Sequence, residues 1–185
     1  MIIFIRHGQT KENVEKINTG RRNVPLNKKG KIQSKECAQI MMWERIDVVY
    51  CSPLKRARQT AKYIMKHHKG TPIFYDDRLL EREDGAATGR KRNEVFISSA
   101  WDFKLNYQIE NFEQLPDMFK RISDFYDEIL EKHKGQRVVV VAHDGVGKMS
   151  RMYFEGLPQN KTLDGYIFDN ARPYVLGEKY NKKER

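Results

Sequence analysis

The segment "RVVVVAHDG", residues 137–145, decides the fold. Its consecutive valines leave no alternating polar face, so the pattern predicts a strand that is buried on both sides. The segment "MIIFIRHGQT", residues 1–10, has the same form, with a short apolar run that stops at Arg6. "IDVVYC", residues 46–51, is a third such run. Strands of this kind are typical of a parallel sheet that helices cover on both faces.

Helical patterns alternate with these predicted strands. From Phe119 onward, apolar residues recur at helical spacing and predict an amphipathic helix that ends before Gly135. Residues 28–43 predict another helix with apolar residues on one side. These residues are Ile32, Cys37, Ile40 and Met41. A third helix is predicted to follow the second strand, with Ser52 as its N-cap and Pro53 as its first residue.

The alternation of strands and helices predicts an α/β fold, a three-layer αβα sandwich with a mostly parallel sheet. A length of 185 residues fits a single domain, which we place at residues 1–185. Residues 90–115 break the alternation, and we expect them to form a cap or an insertion.

The composition bounds the class of protein. The net charge is +10, from 35 basic and 25 acidic residues, which raises the question of a nucleic-acid partner. Most basic residues are interspersed with acidic ones, and only residues 89–92 and 179–185 form clusters, so the pattern argues against nucleic acid. Cys37 and Cys51 lack metal-ligand spacing and are predicted to be buried, reduced thiols. No segment has the pattern of a membrane span or a secretion signal, so we expect a cytoplasmic location.

Charged and titratable side chains follow three of the predicted strands. Arg6 and His7 follow the first, Arg56 lies early in the helix after the second, and His143 follows the third. Because ligands of open α/β sheets gather outside the carboxyl ends of the strands, we expect these residues to meet at one edge. Groups of like charge that are buried together need an anion or a carboxylate to neutralise them. A guanidinium group can donate two parallel hydrogen bonds to the oxygens of a phosphoryl group. The sequence therefore predicts a phosphate site.

A metal site is the competing interpretation of two neighbouring histidines. Zinc sites normally use three or four neutral or anionic ligands. Here the neighbours are Arg6 and Arg56, which repel a divalent cation. The sequence therefore predicts neither a metal nor another cofactor.

Five segments resemble those of the histidine phosphatase superfamily, which contains cofactor-dependent phosphoglycerate mutase and many small phosphatases. In the family's order they are "FIRHGQT", "NVPLNKKG", "CSPLKRARQTA", "LLEREDG" and "VVVVAHDGV". All of them lie within residues 1–150. The resemblance implies a phosphoglycerate mutase-like sandwich and a covalent phosphohistidine intermediate.

The resemblance also implies catalytic roles at the matching positions. His7 matches the nucleophile, while Arg6, Arg56 and His143 match residues of the phosphate pocket. Attack on phosphorus requires a neutral imidazole, and the nearby arginines would disfavour protonation of His7. A backbone carbonyl would hold its other ring nitrogen and so select the tautomer. We expect His143, either protonated or hydrogen bonding, to hold the phosphoryl oxygens.

The proton donor and the residues that bind substrate follow from the same resemblance. Glu81 matches the acid that protonates the leaving group, with Glu83 as the alternative. The predicted substrate-binding residues are Asn13, Thr19, Gly20, Arg90 and Asp144.

The chain departs from the family pattern at Asn23, which replaces the usual aspartate before "PL", and at two further places that bear on the substrate. Asp144 stands where relatives often carry glycine or serine. Its carboxylate would repel a phosphate dianion unless it turns away, caps the following helix or pairs with a base such as Lys148. The stretch "DGAATG", residues 84–89, lacks the aromatic residues that are common there and that often shape the pocket. The usual substrates of the family are therefore a poor guide to the substrate of this protein.

The length of the chain between Glu81 and His143 bears on the reaction. It leaves room only for a compact cap, whereas a mutase needs a lid and a second set of phosphate-binding residues. We therefore expect a metal-independent phosphomonoester hydrolase that acts on a small phosphorylated metabolite. Two alternatives stay open: a phosphoglycerate mutase-type phosphotransferase, and a catalytically weak protein that binds phosphorylated ligands. The sequence leaves the substrate and the oligomeric state open.

Overall fold

A five-stranded sheet forms the centre of the molecule. The structure is a computed structural model and describes residues 1–95, 100–105 and 107–177. The strands are Ile2–Arg6 (β1), Val48–Cys51 (β2), Ile73–Tyr75 (β3), Val138–Ala142 (β4) and Pro173–Leu176 (β5). The helices are Lys11–Glu15 (α1), Lys28–Met41 (α2), Lys55–Ile64 (α3), Arg92–Val95 (α4), Leu115–Lys132 (α5) and Asp144–Glu155 (α6), with 3-10 turns at Asp77–Leu79 and Gly85–Ala87.

The order of the strands brings the ends of β1, β2 and β4 together. The order is β3-β2-β4-β1-β5, in which only β5 runs antiparallel to its neighbour among the described strands. Arg6 lies opposite Ala142, and Cys51 lies opposite Val141. The backbone N–H of His7 donates to the Ala142 carbonyl at 2.9 Å. The chain therefore leaves these strands at a common edge.

Helices cover both faces of the sheet. Alternate residues of β1, such as Phe4, pack with α5 and α6, while Ile3 and Ile5 pack with α2 and α3. The valines of β4 are divided between the two cores and are almost fully buried. The predicted three-layer sandwich with a mostly parallel sheet is confirmed. Cys37 and Cys51 are buried free thiols, as predicted.

The buried face of α2 differs from the prediction. Ile32 and Ile40 are 55% and 61% exposed. The buried residues are smaller on average: Gly30, Ser34, Cys37, Ala38 and Met41. A Cβ at Gly30 would lie 2.1 Å from the Gln9 carbonyl oxygen, so the helix packs directly against the backbone after β1. Close packing of this kind requires small side chains, which a search for large apolar residues overlooks.

The start of α3 also differs from the prediction. The helix begins at Lys55, and Leu54 is its N-cap without a side-chain capping bond. Asn23 supplies the missing acceptor, because its Oδ1 accepts the Lys55 N–H at 2.6 Å. The Ser52 hydroxyl accepts the Leu54 N–H at 3.4 Å and also lies 2.7 Å from Nε2 of His143. Contacts with Asn23 and His143 therefore accompany the local bond of Ser52 at the start of this helix.

The region predicted as a cap is irregular. Residues 90–115 include α4 and isolated bridges such as that of Asp102 with Thr162. Residues 96–99 and 106 of this region, and the basic cluster at 179–185, lie outside the described residues. Its role as a cap stays a prediction.

The strand β3 forms one edge of the described sheet. Phe74 and Tyr75 on this strand are 45% and 51% exposed. The Arg58 guanidinium lies 5.0 Å from the centre of the Tyr75 ring, and Lys132 Nζ lies 5.6 Å from that of Phe74. Cations therefore cover the aromatic surface of this edge.

Within the described part of the chain, no helix combines the length and the apolar character needed to cross a bilayer.

Candidate active site

His7 follows β1 directly and is only 3% exposed. Its Nδ1–H donates to the Gly8 carbonyl at 2.7 Å, and its Nε2 accepts a hydrogen bond from Arg56 Nε at 3.2 Å. Burial, followed by the charges of Arg56 and Arg6, holds the pKa of His7 well below its usual range, although the Gly8 carbonyl opposes this. The imidazole is therefore neutral, and the lone pair on Nε2 is available for attack on a phosphoryl group.

Arg56, in the first turn of α3, is 2% exposed and holds the site together. Its Nη1 donates to the Arg22 carbonyl at 2.7 Å, and its Nη2 donates to the Gly20 carbonyl at 3.0 Å. Burial lowers its pKa to about 10, so it is still charged at neutral pH. A guanidinium has five N–H donors, and these contacts leave some of them for a ligand.

His143 follows β4 and is fully buried. Its Nδ1 accepts a hydrogen bond from Arg56 Nε at 3.2 Å, so the proton lies on Nε2 and is donated to Ser52 Oγ at 2.7 Å. Burial, and then the charge of Arg56, hold its pKa well below the usual range. Of the two forms expected for His143, this environment favours the neutral, hydrogen-bonding ring over the protonated one. The structure places it behind Arg56, where it orients the guanidinium.

A cavity of about 90 Å³ opens in front of His7 and Arg56. Its basic residues are Arg6, Arg56, Arg82 and Arg92, and its acidic residues are Glu81, Asp84 and Asp144. A cavity of this volume holds more than one water molecule, so it can admit the phosphoryl group of a ligand. His143 is absent from its described lining.

Arg6 carries a donor that the described residues leave without a partner. Its Nη1 donates to the Phe168 carbonyl at 2.8 Å and lies 3.1 Å from Asp144 Oδ1. Its Nε is buried and has no hydrogen-bond partner among the described residues. An unpaired buried N–H is unfavourable, so this atom indicates a site for an acceptor such as a phosphoryl oxygen.

Asp144 pairs with bases, which is one of the three arrangements considered from the sequence. It is the first residue of α6, and its Oδ2 lies 3.9 Å from Lys148 Nζ. Lys148 is itself 5% exposed and donates to the Leu163 carbonyl at 3.1 Å. The Asp144 carboxylate thus lies between Arg6 and Lys148 while it lines the cavity.

Glu81 lies opposite the start of α6. Its Oε1 accepts the Arg82 N–H at 3.0 Å, and its Oε2 accepts the Gly145 N–H at 3.4 Å. A Cβ at Gly145 would lie 2.4 Å from Glu81 Oε1, so only glycine leaves room for this carboxylate. Glu83 points elsewhere, with its Oε2 3.8 Å from Arg21 Nε, and does not line the described cavity. The geometry therefore favours Glu81 over Glu83 as a proton donor.

Of the other residues predicted to bind substrate, three line the cavity and one lies outside its described lining. Asn13, Thr19 and Gly20 line the cavity, and Asn13 Oδ1 also accepts the Thr10 N–H at 3.1 Å at the start of α1. Arg90 is exposed and lies outside the described lining. Its contact with the residues of the cavity is through the backbone, because its carbonyl accepts the Asn18 N–H at 2.9 Å.

Several residues of the cavity are not among the catalytic and substrate-binding residues assigned from the sequence. These are Asn18, Arg82, Asp84, Arg92, Ala100, Trp101 and Phe112. Arg82 is 3% exposed, and its guanidinium lies 4.1 Å from the centre of the Phe112 ring. For Asn18, Arg82 and Asp84 the signal in the sequence was proximity, because Asn18 precedes Thr19 and the other two follow Glu81. Arg92 belongs to the basic cluster at residues 89–92, and Trp101 and Phe112 lie in the segment expected to form a cap.

Fold and site together define a class of protein: an α/β sandwich that presents a neutral histidine to an arginine-lined cavity at the carboxyl edge of its sheet. The family model described as "Histidine phosphatase superfamily (branch 1)" matches residues 2–184. The chain belongs to this superfamily, which confirms the resemblance drawn from the sequence.

Individual relatives agree with this assignment. The chain is 31% identical to phosphoserine phosphatase 1 of Hydrogenobacter thermophilus over 148 residues, which cover 77% of this chain and 70% of that protein. It is 33% identical to phosphoglycerate mutase-like protein 4 of Arabidopsis thaliana over 192 residues, which cover 97% and 81%. The solved structure of YhfR from Bacillus stearothermophilus has the same fold, with a TM-score of 0.83, 24% identity and coverage of 93% and 88%.

Proposed function

We propose that the protein is a metal-independent phosphomonoester hydrolase that acts through a phosphohistidine at His7. The observation that carries the proposal is the ring of His7, which is neutral and fixed by Gly8 with Nε2 toward a cavity of four arginines. The names of relatives, such as phosphoserine phosphatase 1, support hydrolysis of a small phosphorylated metabolite.

In the first step, Nε2 of His7 attacks phosphorus while the bond from phosphorus to the ester oxygen breaks. Arg56 Nε must release Nε2 of His7, and it keeps His143 Nδ1 as a second acceptor. The N–H groups of Nη1 and Nη2 that the backbone carbonyls leave unused can donate to a phosphoryl oxygen. Arg6 and Arg56 stabilise the charge on the phosphoryl oxygens. The Gly8 carbonyl accepts a hydrogen bond from Nδ1–H, and this bond stabilises the positive charge that forms on the ring.

Glu81 acts as a general acid in this step and as a general base in the next. In its protonated form it donates a proton to the departing alkoxide, an effect typically of about 10²–10⁴-fold. The resulting carboxylate then takes a proton from a water molecule as that water attacks the phosphorus of phospho-His7. The bond from phosphorus to Nε2 breaks, inorganic phosphate leaves, and His7 returns to its neutral form.

Metal independence forms part of the proposal. The guanidinium groups that line the cavity supply the positive charge that a divalent ion would otherwise provide. Activity is therefore expected to persist after dialysis against a chelator. A cytoplasmic location also stays a prediction.

The test is turnover of para-nitrophenyl phosphate by the wild type and by the His7→Ala variant. We expect turnover to be lost in His7→Ala and kept in His67→Ala, which replaces an exposed histidine. A radiolabelled phosphoryl group trapped by rapid denaturation should map to His7. A label on any other residue contradicts the proposed intermediate.

The same assays separate the alternatives. Interconversion of phosphoglycerates without net release of phosphate would indicate a mutase, as the name of the Arabidopsis relative suggests for that protein. Binding of phosphorylated compounds without turnover would indicate a protein that only binds them.

A further inference from the structure

The proposed proton donor, Glu81, lies in a segment without regular secondary structure. Among the described residues, 81–83 belong to no helix or strand, so no ladder of backbone bonds fixes their position. The carboxylate end of Glu81 accepts the N–H groups of Arg82 and Gly145. Because a misplacement of about 1 Å can reduce catalysis about 10²-fold, the contacts that hold the backbone of this segment matter for proton donation.

Arg121 on α5 binds the backbone that leads to Glu81. Its Nη1 donates to the carbonyls of Arg78 at 2.5 Å and Leu80 at 2.8 Å, and its Nη2 donates to that of Glu81 at 3.4 Å. The helix is itself anchored in the core through buried residues at helical spacing. A single side chain, which is only 16% exposed, therefore ties this irregular segment to a rigid element.

Glu113, two residues before α5, orients the guanidinium of Arg121. Its Oε1 accepts from Arg121 Nε at 2.6 Å and its Oε2 accepts from Arg121 Nη2 at 2.9 Å, so the pair is bidentate. Burial alone would raise the pKa of Glu113, but the hydrogen bonds from Arg121 hold it below its ordinary value. The carboxylate is therefore ionised at neutral pH, and the planar pair fixes the direction in which Arg121 donates.

Glu113 also binds the residues that follow Glu81. Its Oε2 accepts the Glu83 N–H at 3.1 Å, and its own N–H donates to the Glu83 carbonyl at 3.0 Å. Its carbonyl accepts from Arg82 Nε at 2.8 Å. Arg121 thus holds the backbone up to Glu81, while Glu113 holds the backbone after it.

We propose that Arg121 and Glu113 are positioning residues for the proton donor, which hold the backbone of Glu81 so that its carboxylate reaches the leaving oxygen. The inference rests on the proposed function, because that function assigns proton donation to Glu81. Neither residue is in the described lining of the cavity, so both act through Glu81 and not on the substrate. Their loss should impair proton donation and leave the binding of phosphate unchanged.

The test compares ethyl phosphate, phenyl phosphate and para-nitrophenyl phosphate, whose leaving groups decrease in basicity in this order. The quantity measured is kcat/KM, because it reports the first step, in which the ester bond breaks. In Arg121→Gln we expect kcat/KM to fall about 10²-fold for ethyl phosphate, less for phenyl phosphate and about 2-fold or less for para-nitrophenyl phosphate. Glu113→Gln should give the same order of losses, because one of the two acceptors of Arg121 becomes a donor.

Two further variants separate position from charge and from stability. Arg151→Gln is the matched control, since Arg151 also pairs with a glutamate, its Nε donating to both oxygens of Glu155 at 3.0 and 2.9 Å. It should keep the wild-type kcat/KM for all three esters. Arg121→Lys keeps the positive charge without the planar fork, so the selective loss on ethyl phosphate should persist. Full activity in Arg121→Lys, or equal losses on the three esters in Arg121→Gln, overturns the inference.

Hydrogen exchange separates failure of this inference from failure of the proposed function, because it requires no turnover. The amides of Arg82 and Gly145 donate to the Glu81 carboxylate, so their exchange reports its position. In Arg121→Gln they should exchange about 10-fold faster relative to the amide of Ser52, which donates to Val141 at 2.9 Å and reports overall stability. Unchanged relative exchange overturns the positioning role. Absence of turnover of all three esters by the wild type overturns the hydrolase, and exchange still decides the role of Arg121.

Discussion

Oδ1 of Asp144 lies 3.1 Å from Nη1 of Arg6, inside the cavity that His7 faces. The carboxylate therefore occupies a donor of an arginine that would otherwise be free to bind a phosphoryl oxygen. It also places a negative charge near the position of the phosphate dianion. Both effects weaken the binding of phosphate, so this residue limits affinity for the product as well as for the substrate.

Asp144→Asn should strengthen product inhibition. The amide keeps an acceptor for Arg6 and removes the negative charge, so the inhibition constant of inorganic phosphate should fall about 3- to 10-fold. The measurement is competitive inhibition of para-nitrophenyl phosphate turnover. Asp169→Asn is the control, because this exposed residue pairs with Arg172 at the surface. An unchanged or higher constant in Asp144→Asn contradicts the predicted repulsion.

Gly145→Ala should displace the proton donor. The added Cβ would lie 2.4 Å from Glu81 Oε1 and 2.5 Å from Trp101, so the carboxylate must move. We expect kcat to fall about 10²-fold for alkyl phosphates, which need a proton on the leaving oxygen. The loss should be smaller for para-nitrophenyl phosphate, since its leaving group is stable as an anion.

Gly165→Ala is the matched control for Gly145→Ala. A Cβ at Gly165 meets no described atom within 4 Å. The activity of this variant should equal that of the wild type on both kinds of ester. Equal losses on alkyl and aryl esters in Gly145→Ala would show that the substitution acts on something other than proton donation.

Ser52→Ala should reduce the free energy of unfolding. It removes the acceptor of the His143 Nε2 proton and leaves a buried N–H without a partner, which costs about 1–3 kcal/mol. Ser123→Ala is the control, because the buried Oγ of Ser123 has no partner among the described residues. Urea unfolding should therefore show a clear loss for Ser52→Ala and no loss for Ser123→Ala. Similar midpoints for the two variants contradict the predicted role of Ser52.

Stability should decrease as the pH falls below about 6.5. His7 and His143 have pKa values well below 6.5 in the folded protein, whereas in the unfolded chain they titrate near that value. Below it the unfolded state binds more protons, so the free energy of unfolding falls, by up to about 1.4 kcal/mol per pH unit for each histidine.

Urea unfolding at a series of pH values measures this dependence. Replacement of His7 by glutamine removes one of the two groups and should reduce the slope between pH 6 and 5. His67→Gln, which removes an exposed histidine, is expected to keep the wild-type slope. A His7→Gln slope that equals the wild-type slope means that His7 is protonated in the folded protein.

The sequence allowed prediction of those parts of the site that follow directly from regular elements. His7 and His143 follow the most apolar strands, and Arg56 lies at the start of a helix, so the topology of the sheet is sufficient to bring them together. Asn18 and Asp84 could not be predicted in this way. They reach the cavity through irregular loops and the left-handed turn at Gly20, for which no periodic pattern exists.

Two errors in the predicted elements have a physical origin of the same kind. The outward position of Ile32 and Ile40 follows from the close approach of α2 to the backbone at Gln9, which depends on tertiary packing. Ser52 satisfies the rule for an N-cap, but the ring of His143 is a competing partner that the local sequence does not contain. Local propensity was overridden in both cases by a contact between distant segments.

The cations of α3 and α5 that lie against β3 influence how molecules meet in concentrated solution. An open strand edge with exposed aromatic residues is a template for pairing with another chain. Before a second copy could add a strand beside Phe74 and Tyr75, Lys132 and Arg58 would have to give up water, and two cationic edges would have to approach each other. Repulsion between the edges therefore opposes fibril-like assembly, and it is weakest at high ionic strength, where the charges are screened.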